Sequence, residues 1–244
     1  MKIYTYYNKI NKPHLMQQEE LIKLWKLSWE RKGFEPIVLG KEHAQAHPYY
    51  EEFCSNIRSI CKKITGKDIS DYGMSCFLRW MAYATQKDEK FYVSDYDIIN
   101  NNFEIIEPID NLHLMDWDVP CLASGTPIQF DKFCRSFVDI SLDRIDVMNI
   151  NHYHDQEFVT NNLMPKHNSD AFTLRDKYNI TISIDRFELL ANLYDPEDDT
   201  HVKKYKIFHL SHNCITQIKE NNIKYKDVNC NQLRINMAKK ILNI

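Results

Sequence analysis

The 244-residue sequence predicts one α/β domain, residues 1–244, built on an open, mostly parallel, twisted sheet flanked by helices. Three observations predict it. The chain opens strand, helix, strand, with KIYTYY at 2–7, QEELIKLWKLSWERK at 18–32 and EPIVLG at 35–40, the pattern of a crossover between parallel strands. A second apolar run, FYVS at 91–94, follows a helical stretch and leads directly into two aspartates. Hydrophobic residues make up 43% and charged residues 27%, a globular balance, and no linker, repeat or low-complexity block divides the chain.

Each element follows from local pattern. KIYTYY is β-branched and aromatic and reads as the first strand; NKINKPHLM after it reads as a loop. Leu21, Leu24, Trp25 and Leu27 to Trp29 cover one side of the first helix, and Gly33 stands where a C-cap belongs. HPYYEEFCSNIRSICKKI (47–64) predicts a second helix with Pro48 near its first turn. MSCFLRWMAYATQ (74–86) predicts a third, apolar around most of its circumference and therefore packed on the sheet. A short polar link, KDEK, then enters the strand FYVSD.

Leu112, Leu114 and Trp117 alternate with polar residues and fit either short edge strands or an ordered loop. CLAS reads as a strand end, Ser124 and Gly125 as a turn, and Thr126 as the cap of a helix with Pro127 at its first position. DRIDVMNI (143–150) and HDQEFVTNNL (154–163) predict short helices, and YNITISI (178–184) a strand. Residues 186–194 are apolar and precede an acidic loop, DPEDD. KKYKIFHLSH (203–212) reads as a strand with histidines at its exit, and VNCNQLRINMAKKILNI (228–244) as an amphipathic helix.

The formal charge of −3 gives no global support to nucleic-acid binding. Only five glycines are present, which leaves few tight phosphate-cradling loops. Seven cysteines, at 54, 61, 76, 121, 134, 214 and 230, form no CxxC pair and predict free thiols in a reducing compartment, the cytoplasm of the producing or host cell. MKIYTYYNKINK contains no long apolar run and is expected to be neither signal peptide nor anchor. No stretch is apolar enough to span a bilayer, so membrane contact is expected only at the surface.

Asp95 and Asp97 follow FYVS at the carboxyl end of a strand, where open parallel sheets bind ligands. If strand geometry continues, both carboxylates share one face and Tyr96 points away. Such a pair suits Mn²⁺ or Mg²⁺ shared with phosphate oxygens. The plain alternative is a pair of solvated surface aspartates.

SCFLRWMAYATQKDEKFYVSDYDIINNNF resembles the central segment of DxD glycosyltransferases with the GT-A fold. Arg79 stands at their arginine position, Asp95 and Asp97 at the two acids of the motif, and KIYTYYNK resembles their first strand. QKDEK replaces the glycine pair that many relatives carry before the strand. The resemblance implies a nucleotide-diphosphate sugar donor, most often UDP-linked, a Mn²⁺ or Mg²⁺ cofactor, and a glycan, protein or lipid hydroxyl as acceptor. It implies a nucleotide-binding part at about 1–103 and an acceptor and sugar side at about 104–244. Tyr4, Thr5, Tyr6 and Asn8 are expected at the base and ribose, with Arg79, Asp95, Tyr96, Asp97 and His212 toward the phosphates. His209, at a strand exit, is expected to complete the metal ligands, although a histidine satisfied on a loop is the plain reading.

Asp155 and Gln156 read by themselves as a helix start whose acid meets first-turn amides. The resemblance instead makes them a catalytic pair beneath the sugar, with Gln156 near the anomeric carbon and a retaining outcome. Asp116, Trp117 and Asp118, together with Ser124 and Gly125, are weaker candidates for sugar or acceptor contact. Trp117 reads equally as a core anchor, and 124–126 as a turn and cap. Two other readings stand beside transfer: a metal-dependent nucleotidyltransferase or phosphatase using the same acids, and a non-catalytic carbohydrate-binding or scaffold protein.

Overall fold

Strand β1 (Lys2–Tyr6) sends alternate side chains to opposite faces, and both faces are covered. Ile3 packs with Trp25, Trp29 and Tyr92 on one side, while Tyr4 and Tyr6 join Phe53, Phe77 and Phe91 on the other. Helix α1 (Leu15–Glu30) carries the chain to β2 (Glu35–Leu39), which pairs parallel to β1 from Lys2 opposite Glu35 to Tyr6 opposite Leu39. Gly33 makes the reversal with φ 79°, a conformation that costs a glycine little. This computed structural model describes residues 1–10, 15–115, 120–146, 148, 152–182, 190–191 and 199–244.

The main sheet has the order β2-β1-β3-β6-β5-β7, with β3 (Phe91–Ser94), β5 (Leu112–Leu114), β6 (Leu122–Gly125) and β7 (Ile180–Ile182). Only β6 runs against the others, because it pairs antiparallel with both β3 and β5. The sheet is therefore open and largely parallel, as expected. One face carries α2 (Lys41–Gln45), α3 (Tyr50–Thr65), α4 (Asp71–Ala84) and α5 (Pro127–Asp143), whose apolar sides form a continuous core with the sheet. Phe91, Phe130, Trp80, Phe133 and Phe137 fill it ring against ring. Burial of each such ring contributes roughly 1.5–3 kcal/mol. On this side the chain continues through α6 (Asp155–Phe158), a π-helical turn at Val159–Leu163 and α7 (Ala171–Tyr178).

Away from the two aspartates, the structure departs from the sequence reading in four main places. Residues 112–114 form an interior strand between β6 and β7, not an edge. Ser124 and Gly125 continue β6 rather than turning; the turn comes one residue later, where Thr126 caps α5 in a capping box with Gln129. Arg144–Asp146 is a turn after α5, so no helix begins there. The fourth is a second sheet, β4-β9-β8, from β4 (Ile98–Asn100), β8 (Leu190–Ala191) and β9 (Ile207–His209). Its strands of two and three residues carry too little periodicity to announce themselves. Phe208 and Ile99 bury against α1, α9 (His212–Asn221) and α10 (Cys230–Leu242). Helix α8 (Asp199–Lys204) precedes β9. Most of the apolar run at 186–194 and of the acidic loop after it lies outside the described residues.

All seven cysteines are free thiols. No helix among the described residues is long and apolar enough to cross a membrane.

Gly125 sits where a Cβ would lie 2.9 Å from Gln129 Oε1 and 3.2 Å from Leu112 Cδ1. Gln129 Oε1 also accepts the Thr126 amide at 2.8 Å, so it is not free to withdraw. Gly125→Ala is expected to cost about 1–3 kcal/mol through crowding and loss of the α5 cap, read as a lowered midpoint in thermal or urea denaturation.

Candidate metal centre

Strand β3 stops at Ser94, whose hydroxyl accepts Trp25 Nε1–H at 2.9 Å. The Asp95 amide makes one more bond, to Cys121 O at 2.9 Å, and Ile98 N–H then reaches back to Asp95 O at 3.1 Å. Asp95 and Asp97 are thus the first and third residues of a tight turn, not the last residues of a strand. The turn is the hinge between the two sheets, since β4 starts at Ile98. In β4 and β9 the antiparallel register sets Ile98 opposite His209, and Leu210 N–H bonds Asp97 O at 2.9 Å. The register therefore carries the His209 side chain to the two acids.

One ligand atom from each of Asp95, Asp97 and His209 falls within 4.8 Å of the others. His209 Nε2 and Arg234 Nη2 stand 3.6 and 3.8 Å from the Asp97 oxygens, longer than hydrogen bonds. Two carboxylates and one imidazole offer oxygen and nitrogen donors suited to a divalent cation.

Arg79 stands behind this group. Its Nη1 bonds Asp95, Nε donates to Asp155 Oδ2 at 2.8 Å and Nη2 to Pro120 O at 3.1 Å. Asp155 is 2% exposed and accepts also from Trp80 Nε1 at 2.7 Å and the Gln156 amide at 2.9 Å. Burial would lower the Arg79 pKa, but Asp155 and Asp95 more than offset it and hold the guanidinium charged. Burial pushes the Asp95 carboxyl up to about 6 against the pull of Arg79, with Asp97 adding to the rise. Burial likewise raises Asp97, opposed by Arg234.

The structure brings Arg79, Asp95, Asp97, His209 and Asp155 into one assembly. Tyr96 closes over its edge, ring to ring with Tyr7 at 5.6 Å, and Asn8 donates to Ser75 Oγ of α4 at 3.1 Å. Tyr4 points elsewhere: its hydroxyl bonds Asp88 and its ring packs on Phe91. Thr5 is wholly buried and Tyr6 belongs to the core. His212 is exposed on the first turn of α9, outside the 4.8 Å group. Gly125 and Ser124 lie opposite Phe91 and Tyr92, at the far end of β3 from Asp95, because β6 runs antiparallel. Asp116, Trp117 and Asp118 lie outside the described residues.

Sequence reading missed Trp80 as an anchor for Asp155 and Arg234 as a neighbour of Asp97. Arg234 lies on α10, where Nε donates to Leu210 O at 2.8 Å and Nη1 to Asn231 Oδ1 at 3.3 Å, which aims the group at the acids. Nothing local to 228–244 signals that contact.

Residues 1–87 match a family described as a domain of unknown function (DUF8765). No curated protein matches the chain. Among solved structures, the glycosyltransferase GlyE of Streptococcus pneumoniae TIGR4 is similar at a TM-score of 0.46 and 11% identity, over 98% of this chain and 64% of that one. The apo form of GlyE gives 0.46 and 13%, over 96% and 62%. The chain thus spans less than two thirds of the length of GlyE.

Two outcomes are expected from these contacts. Asp155→Ala leaves Arg79 and Trp80 without their shared acceptor and is expected to cost about 3–5 kcal/mol in urea unfolding, whereas Asp97→Asn costs far less. Proton and cation compete for Asp95. As pH falls through about 6 that carboxylate is protonated, so Mn²⁺ affinity measured by calorimetry is expected to drop below that pH, with a shallower drop in Asp95→Asn. Without metal the sign reverses: the raised pKa contributes stability that is present below about 4 and lost as pH rises through about 6.

Proposed function

We propose that the protein is a metal-dependent glycosyltransferase of the DxD kind, moving a sugar from a nucleotide-diphosphate sugar, UDP-linked, to a hydroxyl acceptor. The observation that carries this reading is the convergence of Asp95, Asp97 and His209 within 4.8 Å on the turn that follows β3. The sequence around it, from Ser75 to Phe103, resembles the DxD segment of such enzymes.

Charge supports a diphosphate as ligand. Asp95, Asp97 and Asp155 bring three negative charges and Arg79 and Arg234 two positive ones, a balance of −1 when all are ionised. Asp95, Asp97 and His209 would hold a divalent cation, which would turn that balance to +1 and supply Lewis-acid stabilisation of charge on a departing diphosphate. Arg79 is immobilised by Asp155, Asp95 and Pro120 O, so its field is oriented before substrate arrives. Arg234 contributes a second fixed positive group on the Asp97 side. His212, exposed three residues beyond His209, is assigned to the phosphate side.

The end of β1, with Asn8 and Tyr7 against Ser75 and Tyr96, is assigned to base and ribose; Tyr4, Thr5 and Tyr6 support it from within. Asp155 acts by positioning Arg79, because its oxygens are already engaged by Arg79, Trp80 and the Gln156 amide. Gln156, one residue beyond that anchor, is assigned to the anomeric side, and the pair favours retention of configuration. The acceptor hydroxyl is then oriented for attack on the anomeric carbon, and proximity supplies much of the rate.

The test is incubation with Mn²⁺ and each of UDP-glucose, UDP-galactose and UDP-N-acetylglucosamine, without acceptor. Slow release of UDP is expected, reduced by about 100-fold or more in Asp97→Asn while the melting temperature holds. Release of UMP or inorganic phosphate instead would point to nucleotidyl transfer or phosphatase chemistry. No nucleotide binding under any cation would overturn both and leave a non-catalytic carbohydrate-binding protein.

A further inference from the structure

An open cavity of about 330 Å³ lies beside the metal centre, between the end of α3 and the start of α4. Lys67, Asp68, Ser70 and Tyr72 form one wall, and His152 and His154 belong to the other. The second wall is built by Tyr153. Its ring is 3% exposed, and its hydroxyl shares a hydrogen bond with Ser141 Oγ at 2.7 Å and donates to Phe137 O at 3.2 Å. The backbone is extended at His154, with φ −148° and ψ 174°, so the residues flanking the inward Tyr153 turn outward.

Both walls run into the centre described above. Tyr72 lies on α4 two turns before Arg79, with Cys76 between them on the same side. His154 directly precedes Asp155, the partner of Arg79. Tyr72 is 71% exposed on the rim of this cavity. An exposed aromatic face stacks on the C–H face of a pyranose, and a hydroxyl-rich ligand then needs mixed donors and acceptors around its edge. Lys67, Asp68 and the two histidines provide both. Asp68 also pairs with Lys62 at 3.3 Å, so with Lys67 this wall carries a single unbalanced positive charge, too little to select a polyanion.

We propose that this cavity is the acceptor subsite, and that it takes the neutral terminal sugar of a saccharide stacked on Tyr72. The assignment rests on the glycosyl-transfer reading for its role, but not for its chemistry of binding. It places the acceptor sugar against the α3–α4 connection, a part of the chain the sequence had assigned to the nucleotide.

Saturation-transfer NMR with glucose, galactose, N-acetylglucosamine, maltose, lactose and cellobiose tests it on the metal-free protein, with calorimetry of UDP plus Mn²⁺ run alongside. At least one saccharide is expected to bind the wild type. Tyr72→Ala is expected to weaken it about tenfold, and Tyr72→Phe, which keeps the aromatic face, by less than about threefold. His152→Ala is expected to weaken the same saccharide while UDP–Mn²⁺ affinity is unchanged. Tyr72 and His152 are both surface residues, and melting temperatures confirm that the variants fold. If none of the six saccharides binds, or if Tyr72→Ala binds as well as wild type, the subsite is overturned. Saccharide binding without any UDP–Mn²⁺ binding would sink the transferase reading and leave the cavity assignment standing. UDP–Mn²⁺ binding without saccharide binding would do the reverse.

Discussion

Arg79 Nε and Nη2 meet a single oxygen of Asp155, while Nη1 turns the opposite way to Asp95. One guanidinium, 11% exposed, therefore ties α4, α6, the start of β6 and the turn after β3 to one another. The arrangement is stable only because every charge is answered. An ion pair this deep gains little over well-packed apolar groups, so its value lies in where it holds the partners. Without Asp155 and Trp80 behind it, Arg79 would be free to neutralise Asp95 and Asp97 as a simple salt-bridged patch. Held from behind, it meets Asp95, and Asp97 is left to face His209 and Arg234.

The second constraint is the turn at 95–98. Strand β3 of the main sheet ends there, and the same few residues lead into β4 of a smaller sheet packed on α1, α9 and α10. Because β4 is only three residues long and locked in register to β9, the distance between the acids and His209 is set by backbone hydrogen bonds rather than by flexible side chains. Ligands positioned by such elements need little reorganisation to accept a cation. Packing of α10 against α1 matters for the same reason, since α10 delivers Arg234 to the edge of Asp97. Burial of the acids has a cost as well as a use. It raises their proton affinity, which makes a cation the favoured partner at neutral pH and a proton its competitor in acid.

Much of this was legible in the residues. The opening crossover, the cap at Thr126, the buried α4 and the acids after FYVS follow from periodicity and from residues with strong positional preferences. The misreadings share a cause. Ser124 and Gly125 looked like a turn because that pair often makes one, and nothing local says that β6 runs antiparallel and carries them away from the acids. Asp155 does accept the first-turn Gln156 amide as its position at a helix start suggests, but its other partners, Arg79 and Trp80, lie on α4, where no local pattern points.

The residues alone fix which segments are apolar, where the longer helices and strands of the first half lie, and that Asp95 and Asp97 follow one strand while His209 closes another. Those are short-range properties, written in patterns of a few residues. Only the tertiary structure decided that His209 meets Asp97, that Arg79 is held by Asp155, and that Arg234 comes from α10 to the same place. Such pairings depend on strand register and helix packing between distant segments, where many arrangements satisfy the same local pattern and only the packed whole selects one.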